Sequence, residues 1–290
     1  MAKEKIAMLG LEDVDSSQIF QKLLEIPADD FLSKIPPSSP NMPVIDGDLI
    51  PSQFTFKSYD GGHDVLPGQK WIEGIVVGQS TLDSSIMGYS GLLGRKEGIA
   101  KSFRVSAEKT LHDHPDALKS LLDHYSLSES AASAISDESV MMNILVFIND
   151  VAFLAPAVQL AARASCDSFF ITFKEPNPWD GPFKGHSSHI LDVAFIFQNY
   201  NDHLDDKQRN SAVQLGEDLI KFVSGSAPWK AFNRGEHGVT VYGNGGKVYT
   251  EPPKPEITGQ SSFIFRLAKD ENGPGLDKLM EVFANFMAGK

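Results

Sequence analysis

A chain of 290 residues, 41% hydrophobic and 22% charged, has ordinary globular composition and a length that admits one large domain or two small ones. Its formal net charge of −12 argues against nucleic-acid binding, which needs clustered Lys and Arg to displace counterions from phosphates. The single cysteine, Cys166, rules out an intrachain disulfide and, together with the lack of an Asn-x-Ser/Thr acceptor, points to a reducing, cytoplasmic compartment.

The first ten residues, Met1 to Gly10, are too short and too charged for a signal peptide. Short helical patterns follow over 16–25 and 28–35, with Asp15 placed to cap the first. Pro36, Pro37 and Pro40 then break the chain into a loop. Residues 71–79 contain Ile72, Ile75, Val76 and Val77, a short β-branched run of the kind that forms a buried strand in a parallel sheet.

From 83 to about 164 the pattern is almost wholly helical, with helices expected over 100–111, 115–125 and 137–164. The apolar stretch 141–164 is interrupted by Asn143, Asn149, Asp150, Pro156, Gln159 and Arg163, which reads as too polar for a membrane span. Met141, Met142, Leu145, Ile148 and Phe153 form a helical stripe suited to a core. A second strand-like run, Phe169, Phe170, Ile171 and Phe173, lies within 168–173. Helical patterns return over 190–197, where Val193, Ile196 and Phe197 would face inward, and over 207–223. The segments 239–241 and 247–249 could form a hairpin around Asn244, Gly245 and Gly246, and 276–287 is a closing amphipathic helix. Strands separated by helices give an α/β class, yet about two central strands are few for 290 residues, so the expected sheet is incomplete and mostly parallel, with a helical insertion over about 84–165.

Chemistry in open α/β sheets collects beyond the C-terminal strand ends. Asp83 follows the first strand-like run and His189 follows the second through a loop rich in Pro and Gly. Taken singly, Asp83 could be a helix cap and His189 a capping or merely exposed histidine. Together they stand in the order acid then histidine, in which a carboxylate orients an imidazole for general base work. A zinc site from His186, His189, His112 and His114 is a weaker alternative, since no HExxH or cysteine cluster accompanies them.

Four segments carry a specific resemblance. Residues 43–51, Pro-Val-Ile-Asp-Gly-Asp-Leu-Ile-Pro, are similar to the PVIDGxxxP segment of type-B carboxylesterases. Residues 78–83 resemble that family's GxxxxE acid turn with Asp83 in place of Glu. Residues 189–197 resemble its HGxELxYVF segment, with Ile190 where Gly is usual and Asp192 where Glu is usual. Residues 222–229 resemble a later FAxxGxPN…W segment. In this order the match spans roughly residues 5 to 290 and implies the C-terminal half of an α/β-hydrolase, one truncated domain over 1–290, with Asp83 and His189 as catalytic acid and base.

The resemblance also implies ester hydrolysis through an acyl-enzyme, with no cofactor and no metal, on a small-molecule ester once the fold is completed. Phe147, Phe153 and Leu154 would be candidates to line the substrate gorge. No Gly-x-Ser-x-Gly occurs in the chain, and Gly88-Tyr89-Ser90-Gly91 lacks the spacing. The isolated chain is therefore expected to be inactive, its open sheet edge covered by an N-terminal half or by self-association. A non-catalytic binding or scaffold protein of the same build is the competing expectation.

Overall fold

A computed structural model describes residues 2–35, 43–50, 52–61, 71–233, 238–243, 245–251 and 263–289. The chain divides into two compact units, Met1–Gln53 and Phe54–Lys290.

The first unit carries helices α1 (Ala2–Met8), α2 (Ser16–Glu25) and α3 (Ala28–Lys34). Asp15 caps α2 as expected, its carboxylate accepting from the Ser17 amide at 2.9 Å. Asp46 folds the 43–50 segment into a turn by accepting from the amides of Asp48 and Ile50, both at 2.9 Å, and these bonds hold its pKa below the usual carboxylate value. Gly47 supplies the positive φ of +80° that this turn requires. The proline-rich stretch 36–42 and Pro51 lie outside the described residues.

The second unit is built on a four-stranded sheet in the order β1 (Gly74–Ser80), β2 (Asp167–Lys174), β3 (Val239–Gly243), β4 (Lys247–Glu251). β1, β2 and β3 run parallel, and β4 pairs antiparallel to β3. The expected hairpin is thus present as β3–β4, with Asn244 outside the described residues, but its first strand also joins β2 and so becomes a third parallel strand. A five-residue strand beside a turn signal does not show in sequence whether it will extend a distant sheet, because the partner is contributed by tertiary packing.

Helices cover both faces of this sheet. On one face Val77, Phe170, Val239 and Val241 pack into a large core with residues of α5 (Ile99–Thr110), α8 (Asp137–Ile148), α12 (Phe263–Lys269) and α13 (Gly275–Met287). On the other, Phe169, Ile171, Phe173 and Tyr242 pack with α10 (Leu191–Phe197) and α11 (Asp206–Val223). Period-two alternation therefore buries both sides of β2, which is why its sequence reads as an unbroken apolar run. Phe103 sits at the centre of the larger core, edge-on to Phe147 and Phe286 with ring centroids 5.3 Å apart in each pair.

The helical region between β1 and β2 includes short α4 (Ser85–Tyr89), α5, α6 (Pro115–His124), α7 (Glu129–Ala132), α8 and α9 (Ala155–Arg163). From Asp137 to Arg163 helix is continuous over 27 residues with a mean hydropathy of 1.9 in its most apolar stretch, long and apolar enough to cross a membrane by length and composition, contrary to the sequence expectation. Scattered polar residues lower the mean less than Val140, Ile144, Leu145, Phe147 and Ile148 raise it, and these side chains are buried in the protein's own core. Phe147, expected as a gorge candidate, belongs to this core, because its helical phase aims it at Phe103 and Tyr125.

Between α8 and α9 the helix widens into a π segment, Asn149–Leu154, in which the Ala155 amide reaches back to the Asp150 carbonyl. Pro156 follows at once; it has no N–H to donate and its ring would crowd the carbonyl four residues earlier, and a widened turn relieves that conflict. Segments of this kind often sit at functional sites.

The π segment also half-buries Asp150, whose carboxylate accepts a 2.7 Å hydrogen bond from the Tyr125 hydroxyl. Burial pushes the Asp150 pKa from 3.8 up to about 6, the tyrosine bond only partly opposing it. A carboxyl that binds its proton more tightly when folded contributes stability that is complete below its unfolded pKa and is lost as pH rises through about 6. Asp150→Asn should therefore stabilise the protein at pH 7.5, by roughly 1–3 kcal/mol, and change little at pH 4. Urea unfolding of both proteins at the two pH values reads the difference directly, and equal stabilities at pH 7.5 would refute the assignment.

Candidate active site

β1 and β2 are paired so that Ser80 stands opposite Phe173, and their C-terminal ends finish within one residue of each other. The chain leaves β1 in a tight turn that carries Asp83, and leaves β2 in a longer loop that carries His189. That loop is closed at its base, where the Asn177 amide donates to the His186 carbonyl and the Gly185 amide to the Asn177 carbonyl, at 2.9 and 2.8 Å. The Ser187 hydroxyl donates to the Phe173 carbonyl at 2.8 Å, which folds the end of the loop back onto β2.

The two loops are then joined to one another. The Leu82 amide donates to the Ser187 carbonyl at 2.9 Å, and Leu82 and Ser188 form a short parallel bridge that continues the β1–β2 pairing. The His189 amide donates to the buried Ser85 hydroxyl at 2.9 Å. Gly88 lets α4 approach the loop: a Cβ there would stand 2.6 Å from the Phe183 ring. Tyr89 meets the same ring edge-on at 5.4 Å.

On this frame the two sequence-predicted site residues come together. His189 Nδ1 lies 3.1 Å from Asp83 Oδ1, while Asp83 Oδ2 accepts from the Ser80 amide at 2.7 Å. Each carboxylate oxygen thus has one donor, and Asp83 is not the cap of α4, whose N-cap is Ser84. With Nδ1 donating to a carboxylate, the neutral imidazole leaves Nε2 as the acceptor. The Asp83 side chain is 13% exposed and that of His189 is 33% exposed, so the carboxylate is shielded and the imidazole is reachable. An aspartate placed this way fixes the tautomer and stabilises the imidazolium formed when Nε2 takes up a proton.

Two further groups shape the pair. The ring of Phe153, from the π segment, meets the His189 ring edge-on at 5.8 Å. Asp192, one turn beyond His189, has its carboxyl pKa raised, chiefly by burial and further by the Asp83 charge, with His189 offsetting part of this. Beside His189 opens a cavity of about 350 Å³ lined by Asn177, Trp179, Ser188, Ile190, Leu191 and Tyr200. A cavity of about 450 Å³ lined by Trp71, Gly74, Phe169 and Phe222 lies at the N-terminal ends of β1 and β2, away from the Asp83–His189 pair.

Of the residues expected to face inward after His189, Ile196 packs against the core, and the other two are corrected by the structure. Val193 and Phe197 are 42% and 67% exposed, and the side chains turned inward are Leu191 and Phe195. The shift arises because Ile190 takes a left-handed conformation, φ +57°, so α10 starts one residue later and in a different phase. His186 is exposed and does not join the pair, and among the described residues no three His, Cys, Asp or Glu side chains converge as metal ligands would.

Ser80, Ser85 and Asn149 were not legible as site residues. Ser80 bonds Asp83 three residues on through a backbone amide that any residue type supplies, and the partners of the other two lie far away in sequence, 104 positions for Ser85 and His189 and 65 for Asn149 and Ser84, where no motif reaches.

No family model matches the chain, and no curated protein sequence matches it. Solved structures do. A PNB esterase is 15% identical with a TM-score of 0.53 over 90% of this chain and 55% of its own. The juvenile hormone esterase of Manduca sexta, with OTFP covalently attached, is 15% identical with a TM-score of 0.54 over 97% of this chain and 55% of its own. The Geobacillus stearothermophilus carboxylesterase EST55 is 16% identical with a TM-score of 0.52 over 87% and 52%. The fold is therefore a partial α/β-hydrolase fold, and the chain spans about half the length of the esterase structures it matches.

Ile190 provides a test of the local backbone. A β-branched residue in the left-handed region costs on the order of 1–2 kcal/mol, which glycine avoids. Because Ile190 is 62% exposed, little burial is lost on replacing it. Ile190→Gly should leave stability unchanged or raise it by up to about 1 kcal/mol, even though glycine costs unfolded-state entropy. A fall in the unfolding midpoint equivalent to more than about 1 kcal/mol would contradict the strained assignment.

Proposed function

We propose that this chain supplies the acid–base half of a carboxylic ester hydrolase of the type-B carboxylesterase kind. The observation that carries the reading is the Asp83–His189 pair, hydrogen-bonded at 3.1 Å just beyond the C-terminal ends of two parallel strands. The ordered motif resemblance and the esterase fold of the matching structures support it.

In this reaction a serine hydroxyl attacks the ester carbonyl as His189 Nε2 takes its proton, and Asp83 balances the imidazolium charge. Collapse of the tetrahedral intermediate breaks the bond to the alcohol oxygen, which receives that proton from His189. Water then attacks the acyl-serine with the same histidine as base, releasing the carboxylic acid and restoring the serine. The chain holds no Gly-x-Ser-x-Gly, so the nucleophile and the oxyanion donors come from sequence outside these 290 residues.

The unpaired side of β1 is the natural attachment point for the rest of the sheet, whether from an N-terminal half or by self-association. Beside it lies a cavity of about 330 Å³ lined by Ile72, Ile75, Val77, Leu160 and Ala164, an apolar surface suited to continuing the core. The missing nucleophile equally favours a second reading, a non-catalytic binding protein that keeps the esterase frame.

Turnover of p-nitrophenyl butyrate separates these readings, measured for the chain alone and for the chain assembled with a serine-bearing N-terminal half of an esterase of this fold. The chain alone should show no activity above its His189→Ala variant. The assembled protein should be active, and His189→Ala should remove activity by several orders of magnitude. Activity of the chain alone that vanishes with His189→Ala would place a nucleophile within it. A stable assembly that stays inactive would favour the binding protein.

A further inference from the structure

We infer that Asn149 is a positioning residue for the acid–base pair, holding the Asp83 turn from beneath; this rests on the reading of Asp83 and His189 given above. Asn149 is the first residue of the π segment and is 7% exposed. Its side-chain carbonyl, Oδ1, accepts from the amide of Ser84 at 3.3 Å. Ser84 is fully buried and follows Asp83 directly, so this bond fixes the peptide plane that joins the two.

The consequence for the carboxylate is geometric. On one side of Asp83 the peptide plane is set by Asn149, and on the other Oδ2 is held by the Ser80 amide. With both ends of the turn determined, Oδ1 is left aimed at His189 Nδ1. Phe153, four residues beyond Asn149 in the same π segment, meets the His189 ring at 5.8 Å. One widened helical turn therefore touches the acid through its backbone and the base through its ring. Charge plays no part in the Asn149 contact, so its effect is on orientation.

Among the described residues the Ser84 amide has no backbone acceptor. The Ser85 hydroxyl oxygen already accepts from the His189 amide, and the Leu82 carbonyl from the Ser85 amide. The Ser84 amide stands at the start of α4, where helix geometry provides no backbone acceptor, so removal of Oδ1 takes away the acceptor that holds this buried donor in place.

The experiment uses the full 290-residue chain and needs no catalysis. Proton NMR of the wild type should show a strongly downfield His189 Nδ1–H resonance, lost in Asp83→Asn. Asn149→Leu, similar in size but without the acceptor, should lose or markedly broaden that resonance while circular dichroism stays native. Asn149→Asp, which retains an acceptor oxygen, should restore it. A wild-type resonance in Asn149→Leu would overturn the proposal, as would its absence from Asn149→Asp. Should Asn149→Leu not fold, hydrogen exchange of the Ser84 amide in the wild type decides: strong protection supports the bond, and exchange at the rate of an exposed amide overturns it. If Asp83→Asn leaves the resonance intact, the acid–base reading itself fails, an outcome distinct from failure of the role of Asn149.

Discussion

The parallel register between β1 and β2 is the constraint on which the rest of this structure depends. Because Ser80 stands opposite Phe173, the two strands end within one residue of each other, and the turns that follow begin side by side. The bridge between Leu82 and Ser188 extends the pairing past the strands themselves. A slip of a single residue would separate that bridge and reverse which side chains of β1 face the large core. Asp83 and His189 would then be carried apart, although nothing in either loop had changed.

Cores on both faces of the sheet resist such a slip. Val77 and Phe170 are locked under the helices of one face, and Phe169, Ile171 and Phe173 under α10 and α11 on the other. Polar groups add directional constraints at the same end of the sheet. Glu175, fully buried just past β2, accepts from the Ser211 hydroxyl of α11 and from the Gly246 amide of the β3–β4 turn, at 2.7 and 2.9 Å. At Gly243, opposite Lys174, a Cβ would fall 2.6 Å from the Lys174 carbonyl carbon, so the strand ends pack closer than any other residue permits. The base of the histidine loop thus rests on a rigid platform, which is what the acid–base role proposed for Asp83 and His189 requires.

Among the described residues the two edges of this sheet are unlike. β4 ends it with a short antiparallel strand that carries Lys247 and Glu251, while β1 ends it as a parallel strand with apolar residues at its flank. Short charged strands are a common way of finishing a sheet; parallel apolar strands usually lie inside one. This asymmetry agrees with a chain that covers about half of the esterase structures it matches.

Much of this was readable without coordinates. The unbroken apolar run at 168–173 marked β2, since a strand buried on both faces has no reason to alternate. The capping residue Asp15, the long helices and the acid-then-histidine order were equally legible, because each rests on neighbours in the chain or on a motif. The phase of α10 was not: it turns on the left-handed Ile190, and a β-branched residue gives no local sign of that conformation. Nor was the third parallel strand, the core position of Phe147, or the contact of Asn149 with Ser84. The sequence by itself determined the longer helices, the strand-forming runs and which two residues could act as acid and base. Only the tertiary structure decided that those residues meet at 3.1 Å and what holds them there, because those contacts join positions scores of residues apart, whose proximity is set by packing and not by local preference.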